Sequence, residues 1–105
     1  MFDLDNLNDV QEHLKDFETI WKCKIVSGRI SLDINHIPVN DIRFNQFYGT
    51  SFISSMSIRS KSGFPEFSFY AKDITPDAIE SEGDEITIDL GSDGKIILML
   101  TQPTF

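Results

Sequence analysis

The chain reads as an α+β protein in two layers, with an N-terminal amphipathic helix packed on an antiparallel sheet of five or six strands. Three observations predict this. Apolar residues recur at helical spacing through the first twenty positions, and the period then shortens to two. Turn-forming Gly, Ser and Asp afterwards punctuate three pairs of alternating segments. A small barrel or sandwich with the helix at one end is the alternative arrangement of the same elements.

The helix comes first. Leu7, Val10, Leu14, Phe17 and Ile20 or Trp21 fall at steps of three and four, so they share one face from about Asn6 to Ile20. Asn6 is a good N-cap with Asp9 three residues on. Acids crowd the first turns and Lys22 and Lys24 follow the last, which complements the helix dipole. The stripe is expected to cover one face of a sheet.

Next, Trp21, Cys23 and Ile25 alternate with Lys22, Lys24 and Val26. After Ser27-Gly28, Ile30, Leu32 and Ile34 alternate with Arg29, Ser31 and Asp33, which predicts a hairpin. From Asn35 to Gly49 neither period holds and Pro38 interrupts, so a loop with a short strand or helical turn is expected. Thr50 to Ser60 and Phe64 to Lys72 form a second pair around Lys61-Ser62-Gly63. In it Phe67, Phe69 and Ala71 lie opposite Glu66, Ser68 and Tyr70. The last pair, Ile86–Ile88–Leu90 and Ile96 to Leu100, flanks Gly91-Ser92-Asp93-Gly94. Between these pairs Thr75 is placed to cap a helical turn beginning at Pro76, and the rest of Asp73 to Asp84 reads as an acidic loop.

At 105 residues and 40% hydrophobic content, the chain is expected to form a single domain, residues 1–105, with a core of its own. Cys23 is the only cysteine, so no disulfide can form within the chain, and a reducing cytoplasm is the expected compartment. The acidic start MFDLDNLND lacks the basic region of a secretory signal, and the longest apolar run, Ile96 to Leu100, is far short of the ~20 residues that span a bilayer. No membrane association is expected.

Charge is sorted along the chain. Six acids stand against Lys15 up to Glu18, then seven bases against three acids up to Lys72. From Asp73 onward eight acids stand against Lys95 alone, for a net charge of −8. Such a field attracts cationic surfaces and repels phosphate, so the basic middle segment with Phe44, Phe47, Tyr48 and Phe52 is not expected to bind nucleic acid.

No catalytic motif accompanies this pattern. A Cys23, His36 and Asp33 constellation can be drawn across the first hairpin, but it lacks any nucleophile elbow or glycine-rich surround, and His13 sits beside the helix stripe. A calcium loop read from Asp3 fails at Asn8 and Leu14. Asp89 to Asp93 suits turn chemistry better than a cation site, and no zinc spacing or phosphate-binding glycine loop is present. No catalytic residue, metal or cofactor is therefore expected.

What remains is the acidic stretch, which reads either as a solvated loop whose charge keeps the protein soluble or as a docking surface for a basic protein partner. The expected contacts are Asp77, Glu80, Glu82, Asp84 and Glu85, with Asp73, Asp89 or Asp93 at the rim. In composition alone the chain resembles, as a class, bacterial immunity or inhibitor proteins, which implies neutralisation of a nuclease-type toxin. Two alternatives use other features. A structural or adaptor subunit of a phage or secretion-related assembly would expose apolar edges, and a small enzyme or ligand carrier would need a Phe-lined pocket holding His36.

Overall fold

The structure, a computed structural model, describes residues 4–46, 48–50, 52–60 and 67–102. One helix, α1 (Leu7–Leu14), precedes eight strands: β1 (Thr19–Ser27), β2 (Ile30–Pro38), β3 (Ile42–Gln46), β4 (Ile53–Ser60), β5 (Phe67–Ala71), β6 (Ile79–Glu82), β7 (Glu85–Asp89) and β8 (Lys95–Met99). They form two antiparallel sheets, one of five strands in the order β2-β1-β8-β7-β6 and one of three in the order β3-β4-β5. The α+β class and the helix against antiparallel sheet are as expected, and neither sheet closes into a barrel.

The helix starts where the cap signal places it. The Asn6 side chain accepts a hydrogen bond from the Asp9 amide at 3.1 Å, and Asp9 in turn accepts one from the Asp5 amide. It ends six residues earlier than the apolar period suggests. The amides of Asp16 and Phe17 turn back to the carbonyls of His13 and Leu14, tightening the last turn, and Thr19 then enters β1 opposite Pro38. Ile20 keeps a buried position from the strand instead, facing Ile37, so the helical spacing at that point is a coincidence of packing. Leu7, Val10 and Leu14 are buried against β4, and the Asn8 side chain accepts from the Ile53 amide, tying the helix to the start of that strand.

All three expected strand pairs form. Two further strands form, one in the segment 35–49 where a short strand or helical turn is expected and one in the stretch that reads as an acidic loop. After a single 3-10 turn at Val39–Asp41, β3 pairs with β4, with a bulge between Asn45 and Gln46. The correction concerns the acidic stretch. Pro76–Ala78 does form a 3-10 turn behind Thr75, though without a side-chain cap, and the chain then runs into β6 instead of a loop. Gly83, at φ +59°, occupies the first central position of the two-residue link to β7, which the right-handed twist of a tight hairpin favours. At the other end of that strand pair, a Cβ on Gly94 would collide with the carbonyl of Val26, so only glycine lets β8 start this close to β1. The expected turn at residues 61–63, together with Phe64, Glu66 and Phe47, lies outside the described residues.

One buried cluster joins the helix to both sheets. Cys23, Ile25, Ile79, Ile86, Ile88, Ile96 and Leu98 fill the inner face of the larger sheet, and Ile42, Ile53, Met56, Ile58 and Ala71 that of the smaller. Phe44 and Phe69 are only partly buried against it. No helix among the described residues is long and apolar enough to cross a membrane.

Candidate functional site

The five-stranded sheet has an inner face in the core and an outer face open to solvent, and strand register decides which acids share a face. Cross-strand partners point the same way. Glu82 lies directly opposite Glu85, and Glu80 opposite Thr87, so Glu80, Glu82 and Glu85 rise together from the outer side of the β6–β7 hairpin. The alternate residues, Ile79 and Ile88, are buried. An open depression of about 420 Å³ lies among Glu80, Ser81, Glu82, Glu85 and Thr87.

The remaining expected contacts separate from this trio. Asp84 sits in the turn, where its carbonyl accepts from the Leu100 amide and its side chain accepts from the Thr101 hydroxyl at 2.7 Å. Asp77 lies in the 3-10 turn before β6. Asp73, Asp89 and Asp93 gather about a separate cleft of about 410 Å³, which Tyr70, Lys72 and Leu90 also line. Asp89 accepts from the Gly91 amide at 2.8 Å, the turn role expected for it. Asp73 adopts φ +58°, a left-handed conformation that acidic side chains tolerate better than most.

The trio carries an electrostatic cost. Like charges directly opposite on neighbouring strands repel. Among the described residues the ion pair is that of Lys15 with Glu12 on the helix, at 2.9 Å, so none of the three glutamates is paired with a described base. Glutamates on the edge strand also discourage pairing with another sheet, which is the structural explanation competing with a docking role.

The imagined catalytic group does not assemble. Cys23 is buried on the inner face opposite Ile34, whereas Asp33 lies opposite Lys24 on the outer face. Burial pushes the Cys23 thiol up to about 12, so it stays protonated and weakly nucleophilic near neutrality. His36 is exposed near the end of β2, with a left-handed φ of +55°, and lines neither cleft described above. His13 packs its ring edge-to-face on Phe17, with centroids 5.5 Å apart. Among the described residues, no group of three or more His, Cys, Asp or Glu side chains is placed to hold a metal ion.

Sequence reasoning found the acids and missed their partition. The available signal was Gly83-Asp84 between Ile79–Ser81 and Ile86–Ile88, a turn flanked by alternating residues. It also missed that Lys22 and Lys24 share the outer face with the glutamates. Lys22 lies beside Met99, which lies beside Glu85, and its ammonium sits 4.7 Å from the centre of the Trp21 ring. No family model, curated protein or solved structure matches this chain.

Proposed function

We propose that this chain is a non-enzymatic binding protein whose β6–β7 hairpin docks a cationic protein, and that it acts in the cytoplasm as an immunity-type inhibitor of a nuclease-type toxin. The observation that carries the reading is the co-facial glutamate trio with Glu82 directly opposite Glu85. A basic partner would supply the countercharge that the fold withholds, and three carboxylates on one side of a hairpin can occupy a site built to hold phosphates. The buried, protonated Cys23 and the exposed His36 favour inhibition by occupancy over chemistry. Nucleic acid, with its own negative charge, would be repelled from this edge.

The test replaces Glu80, Glu82 and Glu85 with Lys together, leaving Asp84 because its side chain accepts a hydrogen bond from the Thr101 hydroxyl. The native-host partner is first captured and identified, and its on-rate for wild type and variant is then measured at low and high salt. The reading expects an intact melting transition, an on-rate at least ~10-fold lower and a weakened salt dependence, because long-range attraction acts on encounter. An unchanged on-rate at low salt would overturn it.

A second reading has its own observation. Ile30 is 72% exposed and Leu32 37% exposed along β2, the opposite edge of the same sheet. An adaptor subunit would use that edge to add a strand from a neighbour. In that case the captured partner would tolerate reversal of the glutamates and be lost on Ile30→Lys.

A further inference from the structure

The outer face of the five-stranded sheet is laid out in three ranks across the strands. The first runs Asn35, Lys22, Met99, Glu85, Glu82, the second Asp33, Lys24, Ile97, Thr87, Glu80, and the third Ser31, Val26, Lys95, Asp89. Lys22, Lys24, Val26, Thr87, Ile97 and Met99 are all partly exposed, and the glutamates are exposed, so this face is open to solvent. Its charge is divided about the central strand. Basic residues stand on β1, apolar Ile97 and Met99 stand on β8 in the middle, and acids stand on β7 and β6.

From this layout the geometry points to a second copy of the same chain as the occupant of the face, in a two-fold dimer whose axis lies between the sheets and runs along β8. Rotation about that axis keeps each rank in place and exchanges the two sides of the sheet. Lys22 then stands over Glu85 of the other copy, Lys24 over Thr87 with Glu80 alongside, and Ile97 and Met99 meet their own counterparts on the axis. Symmetry makes each contact twice, as an isologous interface requires. The other in-plane axis, perpendicular to the strands, would put lysine on lysine and glutamate on glutamate, so charge selects one arrangement. Two like-charge meetings remain. Asp33 faces Glu80 on the outermost strands, at the rim of the face, where solvent and salt screen the repulsion. Lys95 meets its own copy on the axis with Asp89 beside it on the neighbouring strand.

Size sets the expected strength. Strands ~4.8 Å apart and ranks ~6.8 Å apart give a face of about 400 Å² per copy, roughly half that of a standard interface, so the association expected is a weak and transient one. Two chains of net charge −8 repel at long range, so the complex is best sought at about 0.15 M salt, where a screening length of ~8 Å dampens that repulsion and leaves the contact pairs. This inference goes beyond the docking of a cationic partner and does not rest on it.

The experiment is sedimentation equilibrium of the full chain from 5 to about 500 μM, with circular dichroism to check folding. Wild type is expected to show a reversible monomer–dimer equilibrium. The double variants Lys22→Glu/Lys24→Glu and Glu80→Lys/Glu85→Lys are each expected to weaken it at least ~10-fold, because each makes the face repel its own copy. Mixed in equal amounts, the two variants are expected to form a heterodimer, since both halves of the interface are then complementary. Ile97→Asp is expected to abolish association by burying an unpaired charge at the centre. The proposal is overturned if wild type stays monomeric throughout this range, or if its dimer is indifferent to the lysine reversals. It is equally overturned if the mixture does not associate, or if Ile97→Asp still dimerises. The lysine variant leaves every glutamate in place, so loss of the dimer is read separately from loss of the cationic partner.

Discussion

If the glutamate trio is held at a cost to the fold, reversing one member should stabilise the free protein. Glu82→Lys is the most direct perturbation, because Glu82 stands opposite Glu85 with no base to separate them. Two carboxylates ~6 Å apart at the dielectric of water repel by about 0.7 kcal/mol. Screening over ~8 Å at physiological salt lowers this to about 0.3 kcal/mol. Reversal turns the repulsion into an attraction of similar size, a swing of about 0.7 kcal/mol at 0.15 M salt and about 1.1 kcal/mol at 0.01 M, where the screening length reaches ~30 Å. The assay is urea unfolding at both salt concentrations. With a slope near ~1.5 kcal/mol/M, the midpoint should rise by ~0.5 M at the higher salt and ~0.7 M at the lower. Glu12→Lys is the opposite control, since Glu12 is paired with Lys15 and its reversal should lower the midpoint. A midpoint that stays put or falls for Glu82→Lys at low salt would refute the argument that the acidic face burdens the fold.

Three further outcomes are expected. Leu14→Ala, at a side chain 1% exposed beneath the helix, should cost about 2–5 kcal/mol and lower the melting temperature by more than ~10 °C, and an unchanged melting temperature would show that the stripe does not face the core. The Cys23 thiol has a folded pKa of about 12 against an ordinary 9.0, so the stability it confers is complete below pH 9 and is lost as pH rises towards 12. Wild-type stability should therefore fall more steeply than that of Cys23→Ala over that window in pH-dependent urea melts. Glu80→Thr/Glu82→Thr distinguishes edge protection from docking: light scattering should show it remaining monodisperse at concentrations where Ile97→Asp is also clear, whereas aggregation would assign the two glutamates to edge protection.

Legibility in the sequence followed locality. Asn6 was readable as a cap because its partner is the amide three residues away, and the β1–β2 and β7–β8 hairpins because each is specified by a turn and a few alternating residues. The helix end was not. Phe17 and Ile20 continue the apolar period, and it is the pairing of Thr19 and Ile20 with Pro38 and Ile37, nearly twenty residues on, that commits the chain to a strand. Strand β6 was hidden for a similar reason. Ile79 alone is apolar and buried there, and what makes Ile79–Glu82 extended is the ready-made edge of β7. The candidate site was visible as composition but not as geometry. Eight acids in one segment form no surface until register puts Glu80, Glu82 and Glu85 on one side of the sheet, gathers Asp73, Asp89 and Asp93 at another cleft and commits Asp84 to a turn.

The two edges of the five-stranded sheet show why edge protection alone is a poor account of the acids. A sheet guarding against unwanted pairing would put its charges where the exposed edge is longest. Here the long edge is β2, nine residues with Ile30 and Leu32 exposed, and its one formal charge is Asp33; the left-handed His36 is the other feature that would disturb an incoming strand. The short edge is β6, four residues, and it carries two glutamates. A third, Glu85, stands on β7, which is already paired on both sides and needs no protection. Charge is thus concentrated where protection is least needed and extends onto a strand where it has none to give. The lysines on β1 sit one strand beyond the apolar centre, close enough to share the face but not to neutralise the trio. An arrangement that leaves opposite charges apart within one chain, although the sheet could have placed them side by side, is what the proposed docking of another molecule would use.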